Sequence, residues 1–174
     1  SYSRFNRPTS VEVEALMAML VQRGPLAVAQ LLEGFPEPRR NLLFRQDEWR
    51  SKSFAANLDA VLILVAVEPP FSESQLARAL IAAASAGVPA WIGLNKTDLP
   101  TLPAARERLA PYAAMGVPLV ECALKARPDE ARSALWPRLE GRTTLVMGPS
   151  GMGKSTLINR FVPQAAAQVG EISV

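Results

Sequence analysis

The chain has 174 residues, of which 49% are hydrophobic and 20% are charged, and its formal net charge is +3. This length can bury one sizeable core, no apolar run approaches the ~20 residues of a membrane-spanning helix, and no charged-then-apolar leader opens the chain. The lone cysteine, Cys122, excludes an intramolecular disulfide framework. We therefore expect a soluble, cytoplasmic monomer that makes no membrane contact.

The first segment, residues 1–34, predicts a short helical arrangement. Thr9-x-x-Glu12 fits a capping box after Pro8. Apolar residues then recur at helical spacing until Gly24-Pro25: Val13, Leu16, Met17 and Leu20. A second short helix is expected over residues 26–32. Two interpretations stay open, a helical pair docked on the main domain and an arm that binds a partner.

A basic connector is predicted over residues 35–56. Its basic side chains are Arg39, Arg40, Arg45, Arg50 and Lys52, and its interleaved aromatic residues are Phe44, Trp49 and Phe54. Arginine forks pair with phosphates and aromatic rings stack on bases, so this stretch could contact RNA. The alternative is a solvated linker whose aromatic residues pack on the domain.

From residue 57 onward, strand-like and helix-like segments alternate. Strands are expected over residues 61–67, 89–94, 117–120 and 143–147, and helices over residues 72–86, 104–114, 129–139 and 154–161. Such alternation predicts an α/β fold, with a mostly parallel sheet between two layers of helices. Residues 57–174 form the predicted main domain.

A base-reading motif, Asn95-Lys96-Thr97-Asp98, follows the second predicted strand of this domain. Ligands bind at the carboxyl ends of strands in open α/β sheets. The Asp98 carboxylate can accept from the ring N–H and the exocyclic amine of guanine, which adenine cannot match. We expect Asn95 to tie this loop to a second one, and the stem of Lys96 to cover the base. A solvated strand-to-helix turn is the alternative.

The second loop is a complete G-x-x-x-x-G-K-S motif between a predicted strand and a predicted helix. Its glycines let successive backbone N–H groups point at a polyphosphate. Lys154 would reach the β- and γ-phosphates, and the Ser155 hydroxyl would bind Mg²⁺. The predicted binding residues are Gly148, Pro149, Ser150, Gly151, Met152, Gly153, Lys154, Ser155 and Thr156. The alternatives are a glycine-rich helix cap and an ATP-using P-loop protein.

The guanine motif precedes the phosphate loop, which is the order found in circularly permuted GTPases. The connecting text at residues 40–45, 55–65 and 170–173 resembles the bacterial RsgA (YjeQ) family. Residues 121–124 resemble that family's second base-contacting loop, so Cys122, Ala123 and Leu124 are expected to bind the nucleotide. Cys122 stands where the family has serine or another small residue.

The resemblance implies a P-loop GTPase fold that binds GTP or GDP with Mg²⁺, and Lys154 and Ser155 as catalytic residues. It implies slow GTP hydrolysis that the small (30S) ribosomal subunit stimulates, contact with 16S rRNA, and a role in late maturation of that subunit. The family also has an N-terminal barrel and a C-terminal zinc-binding region. With one cysteine and no histidine, this chain has no such zinc site.

Only residues 157–174 follow Thr156, which leaves no room for the switch regions of a GTPase. We therefore expect an incomplete GTPase domain that lacks the switch residues needed for turnover. Glu68 could stand in for the missing metal-holding acid, although Pro69-Pro70 more simply indicates a solvated loop. A binding module that responds to nucleotide without turnover remains an alternative.

Overall fold

The computed structural model describes the backbone of residues 16–20, 42–47, 50–56 and 58–162, and the side chains of residues 58–162. A five-stranded sheet, with strand order β1-β7-β4-β5-β6, organises this part of the chain. Its strands are β1 (Leu16–Leu20), β4 (Ala60–Ala66), β5 (Ala90–Asn95), β6 (Leu119–Glu121) and β7 (Thr143–Met147). The pairs β4–β5, β4–β7 and β5–β6 are parallel.

Three helices connect the parallel strands, α1 (Glu73–Ser85), α2 (Leu102–Ala114) and α3 (Pro128–Leu139), and α4 (Lys154–Phe161) follows β7. Local sequence sets two of the starting points. The Ser72 side chain accepts a hydrogen bond from the Gln75 N–H, which caps α1. Pro128 opens α3, where its missing N–H costs no helical hydrogen bond.

The centre of the core is β4, every residue of which is buried. It lies between β5 and β7, and its continuous apolar run fits a strand that is covered on both faces. Leu62, Leu64, Ile92 and Leu145 are at most 1% exposed. Among the described residues, no helix has the length and apolar character that a membrane crossing requires.

The alternation of strands and helices predicted from residue 57 onward is confirmed. The predicted bounds of β7 and α4 match the observed ones, and β4, β5, α1, α2 and α3 differ from prediction by one or two residues at an end. β6 begins two residues later than predicted, at Leu119, and ends one residue later, at Glu121. Pro118 lacks the backbone N–H that strand pairing uses, which accounts for the late start.

The helix predicted through residues 16–20 is wrong. These residues form β1, which pairs antiparallel with β7 so that Leu16 lies opposite Met147 and Leu20 opposite Thr143. The run Leu-Met-Ala-Met-Leu is apolar throughout and fits either periodicity. The free edge of β7 decides in favour of a strand because it offers backbone partners for the whole segment. The rest of residues 1–34 lies outside the described residues.

The connector contains an antiparallel strand pair, β2 (Leu42–Asp47) and β3 (Arg50–Ala56). Arg45 lies opposite Lys52 in its register, and Asp47 lies opposite Arg50. The sequence analysis did not predict these two strands. No Asn-Gly or Asp-Gly pair occurs between the strands, so the usual hairpin signal was missing from the sequence. Arg39, Arg40 and Trp49 lie outside the described residues.

The fully buried Leu64 should be central to stability. We expect Leu64→Ala to lower the free energy of unfolding by about 2–5 kcal/mol, because it removes packed methyl groups and leaves a cavity. Urea denaturation followed by circular dichroism measures this. Ile81→Ala is the control, since Ile81 is 64% exposed, and it should change the unfolding free energy by less than about 0.5 kcal/mol. Similar effects of both substitutions would contradict the assigned core.

Candidate functional site

The loop between β7 and α4 is shaped by close backbone contacts. A Cβ atom on Gly148 would collide with the carbonyl oxygen of Leu64 in β4. Gly153 has a φ of +102° and caps α4, and a Cβ there would collide with the Asn95 amide nitrogen. Only glycine allows the loop to lie this close to its neighbours.

Lys154 is held inside this loop. Its ammonium donates to the carbonyl oxygens of Gly148, at 2.6 Å, and Pro149, at 2.7 Å. The residue is 8% exposed and begins α4, whose amino-terminal end carries positive dipole potential. The loop therefore concentrates positive charge at the point where a phosphate group would bind.

Asn95 connects three segments at the end of β5. Its Nδ2 donates to the carbonyl oxygen of Met152 at 2.9 Å, and its Oδ1 accepts from the Leu124 N–H at 3.0 Å. The residue is 3% exposed. The contact expected between the base-reading loop and the phosphate loop is therefore present.

Thr97 fixes the base-reading loop to residues 121–124. Its backbone N–H and its hydroxyl donate to the carbonyl oxygen of Cys122 at 3.2 and 3.1 Å. The Cys122 N–H in turn donates to the carbonyl oxygen of Leu94 at 2.8 Å. Arg127 donates to the Thr97 hydroxyl at 3.3 Å from the start of α3. These bonds make the two loops one unit.

Lys96 adopts a left-handed backbone conformation with a φ of +62°. Such a conformation costs a non-glycine residue about 1–2 kcal/mol, so its surroundings must fix it. The Lys96 ammonium donates to the backbone carbonyl of Glu68 at 2.6 Å, next to the end of β4. Asp98, two residues further on, is exposed, so its carboxylate is accessible to a ligand.

These loops enclose a cleft of 530 Å³. Most of the predicted binding residues line it: Asn95, Lys96, Asp98, Leu124, Ser150, Gly151, Gly153, Lys154, Ser155 and Thr156. Cys122, Ala123 and Met152 are buried instead and support the loops. Gly148 and Pro149 supply the carbonyl groups that hold Lys154.

The sequence analysis missed two residues that line the cleft, Leu99 and Lys125. Each directly follows one of the base-reading loops. Their position next to these loops could have indicated them, because residues adjacent to a binding loop are often exposed to the same cleft. Neither residue type has a motif of its own.

The end of β6 is fixed by an ion pair. Arg106 of α2 donates to both carboxylate oxygens of Glu121 at 2.7 Å. This contact lowers the pKa of Glu121, first through the hydrogen bonds, and raises that of Arg106. Both side chains are partly exposed, so the pair contributes modestly to stability. It holds the chain directly before Cys122.

Burial raises the pKa of the Cys122 thiol to about 12. The thiol is 3.9 Å from Asn95 Oδ1, a position in which it can act as a weak donor. A thiol with this pKa stays protonated at neutral pH. Cys122 therefore fills the place of a small uncharged residue.

A metal ion at this cleft would depend mainly on phosphate and water. Among the described residues, no group of three or more Asp, Glu, Cys or His side chains is placed to hold a metal. The Ser155 residue lines the cleft beside Lys154, and a single hydroxyl together with phosphate oxygens suits Mg²⁺.

The fold and the site define an α/β nucleotide-binding domain of the P-loop class, whose base-reading motif precedes its phosphate loop along the chain. A family model described as RsgA GTPase matches residues 36–174. The chain belongs to the RsgA GTPase family.

Curated relatives carry the name small ribosomal subunit biogenesis GTPase RsgA. The protein of Burkholderia mallei (strain SAVP1) is 55% identical over 136 residues, which cover 78% of this chain and 43% of that protein. The protein of Paraburkholderia xenovorans (strain LB400) is 53% identical over the same coverage. The chain thus spans less than half the length of these relatives.

Two solved structures share the fold. YjeQ from Thermotoga maritima matches with a TM-score of 0.59 and 28% identity, over 73% of this chain and 44% of that one. YloQ, described as a circularly permuted GTPase, matches with a TM-score of 0.53 and 22% identity, over 76% of this chain and 53% of that one. The permuted α/β fold is confirmed.

The buried thiol of Cys122 allows a test of how residues 121–124 are packed. At pH 8, we expect iodoacetamide to modify Cys122 in the folded protein at least about a hundredfold more slowly than in urea, because only the thiolate reacts. Below the ordinary thiol pKa of 9.0, Cys122 is protonated in the folded and the unfolded protein, so its burial carries no cost of charge. As pH rises from 9 toward 12, the unfolded protein loses this proton more readily, and the free energy of unfolding decreases.

Mass spectrometry of the alkylated protein measures the rate. Cys122→Ser serves as the blank, because the chain has no other cysteine. Equal rates in folded and unfolded protein would show that the thiol is accessible and that the loop is packed differently.

Proposed function

We propose that this chain is the nucleotide-binding part of a GTPase that acts in late maturation of the small ribosomal subunit. The observation that carries the proposal is one cleft lined by both Asp98 and Lys154. Relatives at 55% identity are named small ribosomal subunit biogenesis GTPases, which supports the biological role. This role places the protein in the cytoplasm.

Guanine selection is assigned to Asp98. A carboxylate accepts hydrogen bonds from the ring N–H and the exocyclic amine of guanine, and adenine would leave it unpaired. Lys96 and Leu124 line the same cleft. Their aliphatic portions would cover the faces of the base.

The phosphate groups are assigned to the loop from Gly148 to Thr156. Lys154 would neutralise the β- and γ-phosphates as a point charge, and Ser155 would coordinate Mg²⁺. The fit is supported by the cleft volume of 530 Å³, which lies within the range of about 300–1,000 Å³ typical of ligand pockets. Held by Ser155 and the phosphate oxygens, Mg²⁺ would supply charge neutralisation there.

Hydrolysis in the whole protein would be attack of water on the γ-phosphate, accelerated by positioning and charge stabilisation. Within this chain, Lys154 and Ser155 are the residues assigned to that chemistry. The bonds from Lys154 to Gly148 and Pro149 keep its ammonium in place before nucleotide arrives. Such preorganisation reduces the rearrangement needed when charge develops.

Contact with 16S rRNA is assigned to the basic residues around β2 and β3. The register places Arg45 opposite Lys52, and Arg50 opens β3. A cluster of positive charge on two paired strands suits the RNA backbone. The second helix predicted over residues 26–32, the interpretation of residues 1–34 as a partner-binding arm, and the monomeric state stay predictions.

Asp98→Asn tests the guanine assignment. We expect GDP affinity to fall about 10- to 100-fold, because the amide cannot accept from both donors of guanine. Affinity for xanthosine diphosphate should rise, since its ring carbonyl can accept from the new amide. Isothermal titration calorimetry measures both.

Asp129→Asn is the matched control, because Asp129 is exposed in the first turn of α3 and the charge change is the same. Competition of ATP against a fluorescent GDP analogue tests the ATP alternative. Displacement by ATP as strong as by GTP, or equal effects of both substitutions, would remove guanine selection.

The RNA contact predicts a change in salt dependence. Replacing Arg45, Arg50 and Lys52 together with alanine should weaken binding of the whole protein to small subunits. The slope of log K against log salt should flatten by roughly 0.7–0.9 for each lost phosphate contact. Filter binding between 50 and 200 mM salt measures it. Replacing Arg78, Arg138 and Arg142 instead is a charge-matched control, and an unchanged slope in the first variant would exclude the proposed contact.

A further inference from the structure

Glu68 contacts Lys96 in the base-reading loop and Thr101 shortly after it. It lies two residues after the end of the buried strand β4 and is exposed. Its backbone carbonyl accepts from the Lys96 ammonium at 2.6 Å. Its carboxylate accepts from the Thr101 hydroxyl at 2.6 Å. Such a short bond to a charged acceptor is stronger than a neutral hydrogen bond.

These two partners lie on either side of Asp98. Lys96 precedes it by two residues, and Thr101 follows it by three. Between them, the Leu99 N–H donates to the Lys96 carbonyl at 3.1 Å, and the Leu102 N–H donates to the Leu99 carbonyl at 3.2 Å. Consecutive hydrogen bonds therefore link the residues of the turn that carries Asp98. Glu68 contacts this turn at Lys96 and at Thr101.

The residues that follow Glu68 contact two neighbouring elements. Arg108 of α2 donates to the Phe71 carbonyl at 2.7 Å and to Glu73 at 2.9 Å. On the other side, a Cβ on Gly151 would lie 3.5 Å from the ring carbons of Pro69, so this segment also borders the phosphate loop. Glu68 therefore precedes residues that contact both α2 and the phosphate loop.

We propose that Glu68 is a positioning residue for guanine recognition, which holds Asp98 in place through Lys96 and Thr101. This inference rests on the proposed function of the cleft. Thr97 and Cys122 hold the inner side of the same turn, and Glu68 holds its outer side. The Glu68 carboxylate thus has a hydrogen-bond partner, Thr101, at the end of the base-reading turn.

Thr101 offers a clean substitution. It is exposed, it directly precedes α2, and among the described residues its hydroxyl caps no backbone N–H of that helix. Thr101→Val removes the donor to Glu68 with little change of shape, and Thr101→Ser keeps it. Glu68→Ala removes the acceptor, and Glu68→Gln keeps a neutral one.

The readout is the ratio of GDP affinity to inosine diphosphate affinity, measured by calorimetry on the full-length protein. Inosine lacks the exocyclic amine, so the ratio reports how well Asp98 meets that group. We expect Thr101→Val and Glu68→Ala each to lower the ratio about five- to tenfold. Thr101→Ser should retain the ratio of the unsubstituted protein. The double variant with Thr101→Val and Glu68→Ala should lower the ratio no more than either single substitution, because all three variants lose the same contact.

A purely structural role for this contact would lower Tm and weaken both nucleotides equally, leaving the ratio unchanged. That outcome, or a Thr101→Val variant with unchanged affinity and ratio, would overturn the inference while guanine selection by the unsubstituted protein stands. An unsubstituted protein that binds the two nucleotides equally well would overturn the proposed function as well. The two failures are therefore distinguishable.

Discussion

The buried amide of Asn95 is the contact on which the nucleotide cleft depends. It joins Met152 of the phosphate loop, which lies 57 positions away in sequence, to Leu124 of the second base-contacting loop. In a site of low dielectric, an unpaired amide would be costly, so both of its bonds favour one relative arrangement of the loops. Gly153 makes that arrangement possible, because any side chain there would displace the amide.

The parallel sheet explains why the cleft can form although the guanine motif precedes the phosphate loop along the chain. Parallel strands that share a direction end at the same edge, so the segments after β4, β5, β6 and β7 meet there. The cleft forms from three of these segments, and the fourth carries Glu68, which contacts Lys96. Spatial neighbours are set by strand order, and a permuted chain reaches the same arrangement through different connections.

Much of this domain could be predicted because its sequence is locally consistent. The apolar runs of β4 and β7 and the two loop motifs each indicate one structure. Prediction failed where local pattern left a choice: residues 16–20 are apolar throughout, and only the edge of β7 makes them a strand.

The candidate site shows the same limit. The residues of the two motifs could be located from their spacing, and most of them line the cleft. The left-handed conformation of Lys96 and the contacts of Glu68 depend on segments that meet only after folding. Leu99 and Lys125 carry no motif, and their place in the cleft follows from the geometry of neighbouring residues alone.

The protonated thiol of Cys122 has a consequence for the protein under oxidative stress. Hydrogen peroxide attacks thiolates, and a buried thiol with a pKa of about 12 forms very little thiolate in a cell. A sulfenic acid at this position would enlarge a side chain that packs behind Asn95. The loop thus keeps its thiol where peroxide reacts with it slowly.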